Sequence, residues 1–250
     1  MKQDIDFVLE GWEYKPGMVQ ARLVQASAQT GHGGGRQVIQ MRVDLGILQL
    51  ETTGRPDGTR PHNHSSYLGY LREQARQAEK AENKFSLTDE QCQEADREFV
   101  QFYHRRICWL ALRHYPKAIA DADHTLAFMD FLKRFSPSEE YTQAHEQYRG
   151  FVLFQRTQAA AAQQAENERP EAAIDEVRRG LDEMRGFFGA HGLLDQMDED
   201  GMVQHLRRIE ERLRQEYGIT STLREELDAA VAAEDYERAA QLRDELKRRP

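Results

Sequence analysis

Four short patterns in this sequence carry residue types that do chemistry in other settings. His32-Gly33-Gly34-Gly35 has the composition of an oxyanion-hole loop, whose backbone N–H groups face a developing negative charge. No G-x-S-x-G elbow supplies a nucleophile, and no Lys-Ser/Thr follows the glycines to hold phosphate and magnesium, so the segment predicts a hairpin loop. His145-Glu146 begins like the zinc motif H-E-x-x-H, but the fifth position is Arg149, a cation where the second ligand belongs, which predicts a helix surface. Asp198-Glu199-Asp200-Gly201 resembles a calcium loop; with Gly201 at the sixth position, the first is Gln196 and the twelfth is Arg207, and two key oxygen ligands are lost. His62-x-His64 is a doublet that nine histidines produce by chance. Paired carboxylates abound, yet nothing in the sequence sets two of them to different pKa values. The expectation is no catalytic residue, no cofactor and no metal site, and hence no enzyme.

Composition narrows the partners. The formal net charge is -9, so phosphate backbones are repelled unless a local basic surface overrides it, and direct nucleic-acid binding is not expected. Met1 to Asp6 carry charges and no apolar run follows, while no stretch approaches the length that crosses a bilayer, so a cytoplasmic location without membrane contact is expected. Cys92 and Cys108, sixteen positions apart on one expected helix, would sit roughly 24 Å from each other, too far for a disulfide. With 39% apolar and 31% charged residues, the chain suits helices that each bury one stripe.

The elements follow from periodicity. Met18 to Leu23 and Gln37 to Leu50 alternate with period two, Ile39, Met41, Val43, Leu45 and Ile47 forming the apolar set, which predicts strands joined through the Ala26 to Arg36 segment. The phase slips beside Gly46, as at a bulge or a tight turn. Gly54-Arg55-Pro56-Asp57-Gly58 predicts a turn that closes the β part. Arg72 to Lys84 lacks a clear apolar stripe and predicts an exposed connector helix. Ser86, followed by Asp89 and Glu90, predicts the start of a long helix to about Leu112. A second helix should start near Pro116 and stop before Ser136-Pro137, a third should run from Ser138 to about Glu166, and a fourth from there to about Phe188. Ala118-Ile119 with Leu126, and Ala173-Ile174 with Leu181, repeat a pattern similar to the second helix of tetratricopeptide repeats, with Tyr115 three before Ala118; the copies are 55 apart, so the region is TPR-like or a plain helical bundle.

The C-terminal residues from Ile219 carry the most specific signal. Leu223, Leu227, Ala230 and Val231 form one helical stripe, Glu234-Asp235 interrupts it, and Tyr236, Ala239, Leu242 and Leu246 form a second, which predicts an antiparallel helical hairpin. Arg224 with Asp228, Glu234 with Arg238, and Glu245 with Arg249 are spaced as i,i+4 charge pairs. About thirty residues have too little core to stand alone, so the hairpin should bury its remaining apolar edge against a partner, a second copy, or the preceding helix. Tyr236-Glu237-Arg238-Ala239-Ala240-Gln241-Leu242-Arg243-Asp244 resembles the core of the UVR motif of the excinuclease subunits UvrB and UvrC, F/Y-E-x-A-A-x-L-R-D. That motif mediates contacts between protein subunits. The resemblance implies partner-binding roles for Leu227, Tyr236, Glu237, Ala240, Leu242, Arg243 and Asp244, with Tyr236 at the apolar anchor position. The arrangement as a whole also resembles UVR-motif proteins of planctomycete-type bacteria, which brings no function with it.

These readings give an α+β chain, mostly α: a small antiparallel β unit over 1–52, a turn-rich connector with an exposed helix over 53–85, a TPR-like helical-hairpin bundle over 86–217, and a two-helix UVR hairpin over 219–250. The expected function is an adaptor whose partner is another protein with a UVR motif or a matching helical surface, or a second copy of this chain. An accessory factor of nucleotide excision repair is the alternative, and a small-molecule binding protein or enzyme built on the β unit the third.

Overall fold

The computed structural model describes residues 5–26 and 35–248. The described residues form ten α-helices and one three-stranded sheet, and the fold is α+β with helix dominant. The chain divides into two compact units, Met1–Arg149 and Gly150–Pro250.

The first unit opens with a short helix, α1 (Asp6–Leu9), followed by β1 (Gln20–Ala26), β2 (Arg36–Val43) and β3 (Gly46–Glu51). The sheet is antiparallel in sequence order, Leu23 pairing Ile39 and Ile39 pairing Leu50. Val43 pairs Gly46, so the phase slip is a tight turn at Asp44-Leu45; Leu45 leaves the apolar set and stands 93% exposed at its tip. Successive residues Val38 and Ile39 are both fully buried, which a strand achieves only when both sheet faces are covered. On the face of Arg22 and Arg42, Arg22 stacks 4.0 Å over Trp12 and donates to the Val8 carbonyl, and Arg42 donates to the Trp12 carbonyl. Of the expected hairpin loop His32-Gly33-Gly34-Gly35, positions 32–34 lie outside the described residues.

The expected turn follows, closed by Glu51 N–H to Pro56 O at 2.8 Å, with Gly54 and Gly58 at positive φ. Next come α2 (Tyr67–Lys80), α3 (Asp89–Ala111), α4 (Tyr115–Phe135) and α5 (Glu139–Glu146). α2 is no exposed connector: Tyr67, Leu68, Leu71 and Ala75 share a core with Cys92, Ala95, Phe128 and Leu132. Its apolar residues cluster in the first two turns, most of them ahead of the charged run that starts at Arg72. α3 starts two residues later than Ser86 implies, because Thr88 and Gln91 close a reciprocal capping box.

The single helix expected from Ser138 to Glu166 is broken at Gln147-Tyr148, and α6 (Arg149–Glu166) begins afresh, leading into the second unit. α7 (Pro170–Ala190) follows, packed so closely that a Cβ added to Gly180 would lie 2.0 Å from Thr157 Oγ1 on α6. α8 (Gly201–Tyr217) starts at Asp200, whose carboxylate accepts from Met202 and Val203 N–H, so the acidic stretch that resembles a calcium loop is a helix cap. Gly218, at φ +63, ends α8 in the left-handed conformation. Ala173, Ile174 and Leu213 join α7 to α8 in a small core, with Ile219 packed against it.

Candidate functional site

The two last helices, α9 (Leu223–Ala232) and α10 (Tyr236–Arg248), build a hairpin from strictly local rules. Thr222 starts α9 with a capping box: its hydroxyl accepts from Glu225 N–H while the Glu225 carboxylate accepts from Thr222 N–H at 2.7 Å. The chain reverses at Glu234, which takes the left-handed φ of 57 that glycine usually supplies, and Asp235 restarts the helix by accepting from Arg238 N–H at 3.0 Å. Ala230, Ala239 and Leu242 are buried between the helices, and Leu223 and Leu227 pack against them. Small residues at 230 and 239 let the backbones approach; one leucine, Leu242, fills the centre.

The root of the hairpin is tied to the rest of the second unit. Thr222, fully buried, donates its hydroxyl to Asp175 on α7 at 2.8 Å. Glu225 receives Arg214 of α8 at 2.6 Å and Arg178 of α7 at 3.0 Å. Burial alone would raise the Glu225 carboxyl, but the Arg214 hydrogen bond, the Thr222 N–H and the charge of Arg178 hold it below the ordinary carboxylate value. Asp175 shifts the other way, because burial outweighs the Thr222 hydrogen bond.

Of the seven residues implied as partner-binding, the structure separates three groups. Leu242 is fully buried inside the hairpin, and Leu227 and Ala240 are half-buried. Glu237, Arg243 and Asp244 are exposed, Arg243 lying 3.2 Å from its neighbour Asp244. Tyr236 is 69% exposed, and Val231, assigned by periodicity to the inner stripe, is 51% exposed. Both stand at the closed end of the hairpin, beside exposed Ala232 and Ala233. Val231, one residue past buried Ala230, and Tyr236, three before buried Ala239, fall outside the side of each helix that faces its partner. The charge pairs also differ: Arg238 reaches across to Glu226 at 3.1 Å instead of to Glu234, and Arg249 lies outside the described residues.

Sequence reasoning missed a buried polar cluster in the first unit. Glu98, fully buried, accepts from the N–H groups of Tyr67 and Leu68 at the start of α2 and meets His124 at 2.9 Å. Arg105 grips Asp121 with two hydrogen bonds of 2.9 and 2.7 Å and donates to the carbonyls of Glu51 and Gly54. Arg55, in the glycine-proline turn, is 3% exposed and lies 2.5 Å from Glu94. Glu94, Glu98, Gln101 and Arg105 recur at helical spacing on one face of α3, a pattern that reads as solvated until Arg55 and Asp121 are placed opposite. The cluster fastens turn to helices, with the buried Arg55 Nη2 meeting Glu94 as an ion pair without a directed hydrogen bond.

The remaining motif residues have internal partners too. Glu146 is 2% exposed, not on a helix surface, and is held by Arg149 at 2.8 Å and Lys133 at 2.9 Å; His145 meets Asp96. His62 stacks on Tyr70, and His64 bonds to the His62 carbonyl. Among the described residues no three His, Cys, Asp or Glu side chains converge as a metal site, and no helix is long and apolar enough to cross a membrane.

No curated protein and no solved structure matches the chain. Residues 219–248, the hairpin with its capping threonine, match the UvrB/uvrC motif, UVR.

Proposed function

We propose that this protein is a non-enzymatic cytoplasmic adaptor that docks a partner protein through the UVR hairpin. The observation that carries the reading is Tyr236: a large aromatic, 69% exposed at the closed end of a hairpin that matches a subunit-contact motif. Exposed aromatics of this kind concentrate binding energy when a partner's pocket desolvates them. Val231, half exposed beside the same turn, extends the apolar tip. The exposed Glu237, Arg243 and Asp244 supply a charged flank that fixes register more than affinity. The partner is a UVR hairpin or matching helical surface on another chain, or on a second copy of this one.

The same motif match supports a second reading, an accessory role in nucleotide excision repair, in which the partner would be an excinuclease subunit. Full-length protein tested against purified excinuclease subunits, and against itself by sedimentation equilibrium, separates the two. Binding to an excinuclease subunit that Tyr236→Ala weakens selects the repair role. Self-association that the same variant weakens selects the copy. Binding or self-association that Tyr236→Ala leaves unchanged would refute docking through the hairpin tip.

A further inference from the structure

We propose that the groove between α2 and α4 binds a small amphipathic anion, an aromatic or acyl body that carries a carboxylate, sulfonate or phosphate. The groove encloses about 640 Å³, within the range of small-molecule sites. Its floor is aromatic: Phe131 and Phe135 lie 4.7 Å apart, and Phe85 meets both edge-on. Phe85 and Phe135 are only half-buried, so their rings face the groove with apolar surface to cover.

The walls carry the charge. Arg72 and Arg76 stand on α2, Lys84 on the segment that follows it, and Arg134 on α4. Two acids share the lining, but Asp130 is engaged by Arg149 at 2.7 Å, which leaves Glu79 as the groove's own countercharge. Arg76 meets Glu73 in an exposed i,i+3 pair, a contact that competes weakly for it. Arg72 and Lys84 form no ion pair among the described residues. Arg134 lies 5.0 Å over the Phe135 ring, so a flat ligand on that ring has a cation at its edge. In a chain of net charge -9, a cationic rim over an apolar floor selects anions with an apolar body. From Ala127 to Phe135 the floor is about 12 Å long, the length of two or three rings and short for a docked helix.

The test titrates the full-length protein with 8-anilinonaphthalene-1-sulfonate, read by fluorescence, beside N-phenyl-1-naphthylamine, the same body without the charge. Saturable binding of the sulfonate is expected, tighter than the neutral amine by about fivefold or more. Arg72→Glu combined with Arg134→Glu should weaken it by about tenfold or more without altering the far-ultraviolet circular dichroism. Unchanged affinity in the folded double variant, or equal binding of the neutral amine, would overturn the proposal. So would capture of a polyglutamate peptide in place of the sulfonate, which would assign the groove to an acidic protein segment. Where the double variant does not fold, amide chemical shifts of the wild type decide: sulfonate-induced changes at 72–84 and 127–135 support the site, and changes confined elsewhere refute it.

Discussion

Replacing Tyr236 by alanine separates docking from folding. A tyrosine encloses on the order of 200 Å² when fully buried. With the residue 69% exposed, about 140 Å² is free for a partner, worth at most about 3.5 kcal/mol, and about 60 Å² is already covered by its own chain, worth at most about 1.5 kcal/mol. Tyr236→Ala should therefore weaken binding or self-association by about 2 kcal/mol, roughly thirtyfold, and shift the unfolding midpoint little. Leu242→Ala is the control. Leu242 is fully buried in a core it shares with two alanines, and its truncation should cost about 2 to 5 kcal/mol of hairpin stability. Amide hydrogen exchange over residues 223–248 reads the stability, and sedimentation equilibrium or partner titration reads the affinity. If Tyr236→Ala destabilises the hairpin as much as Leu242→Ala while the folded protein binds with unchanged affinity, the assignment of Tyr236 as anchor is wrong.

Four further outcomes are expected. Glu234→Gly should stabilise the hairpin by about 1 kcal/mol, seen as slower amide exchange in α9 and α10, because Glu234 holds a left-handed φ. Gly180→Ala should cost about 1 to 3 kcal/mol in urea denaturation, relieved only in part by Thr157→Ala because the Thr157 Cβ itself lies at 2.7 Å. Glu225, depressed below its ordinary value of 4.5, stabilises the fold above that pH and ceases to as pH falls through the depressed value; Glu225→Gln should flatten the acid limb of a stability profile, and Asp175→Asn, which removes an opposite shift, should steepen it. Asp121→Ala leaves Arg105, 4% exposed, with an unpaired buried charge and should cost about 3 to 5 kcal/mol of thermal or denaturant stability.

The hairpin was legible because its signals are local: two leucine-alanine stripes and an acidic break each act within four residues, while the capping box at Thr222 emerged only from the structure. The strands were legible for the same reason, period two surviving from Gln37 to Val43 and the slip at Gly46 marking the turn. What periodicity could not deliver was the outer limit of each stripe, since Val231 continues the pattern of Leu227 yet is 51% exposed while its neighbour Ala230 is buried. Contacts between distant segments were equally hidden. Glu98 binds residues thirty and more positions away at the start of α2, and Arg55 reaches α3, so their burial depends on a fold that no window of sequence contains. The break at Gln147-Tyr148 has no proline or glycine at it; it accompanies the Glu146, Arg149 and Lys133 ion cluster, which joins residues from three helices.

The slender core of the hairpin also bears on how fast a bound partner leaves. Three buried residues and two flanking leucines hold α9 to α10, so this segment opens at a lower free energy than the helices beneath it. Each opening dismantles the surface on which a partner sits, while the covalent root at Thr222 keeps the loosened segment on its own molecule. Dissociation then has two routes, direct separation and opening of the hairpin, and the faster one sets the residence time. A substitution that fills the hairpin core at the Leu242 layer, away from the exposed tip, would lengthen that time without adding a contact to the interface.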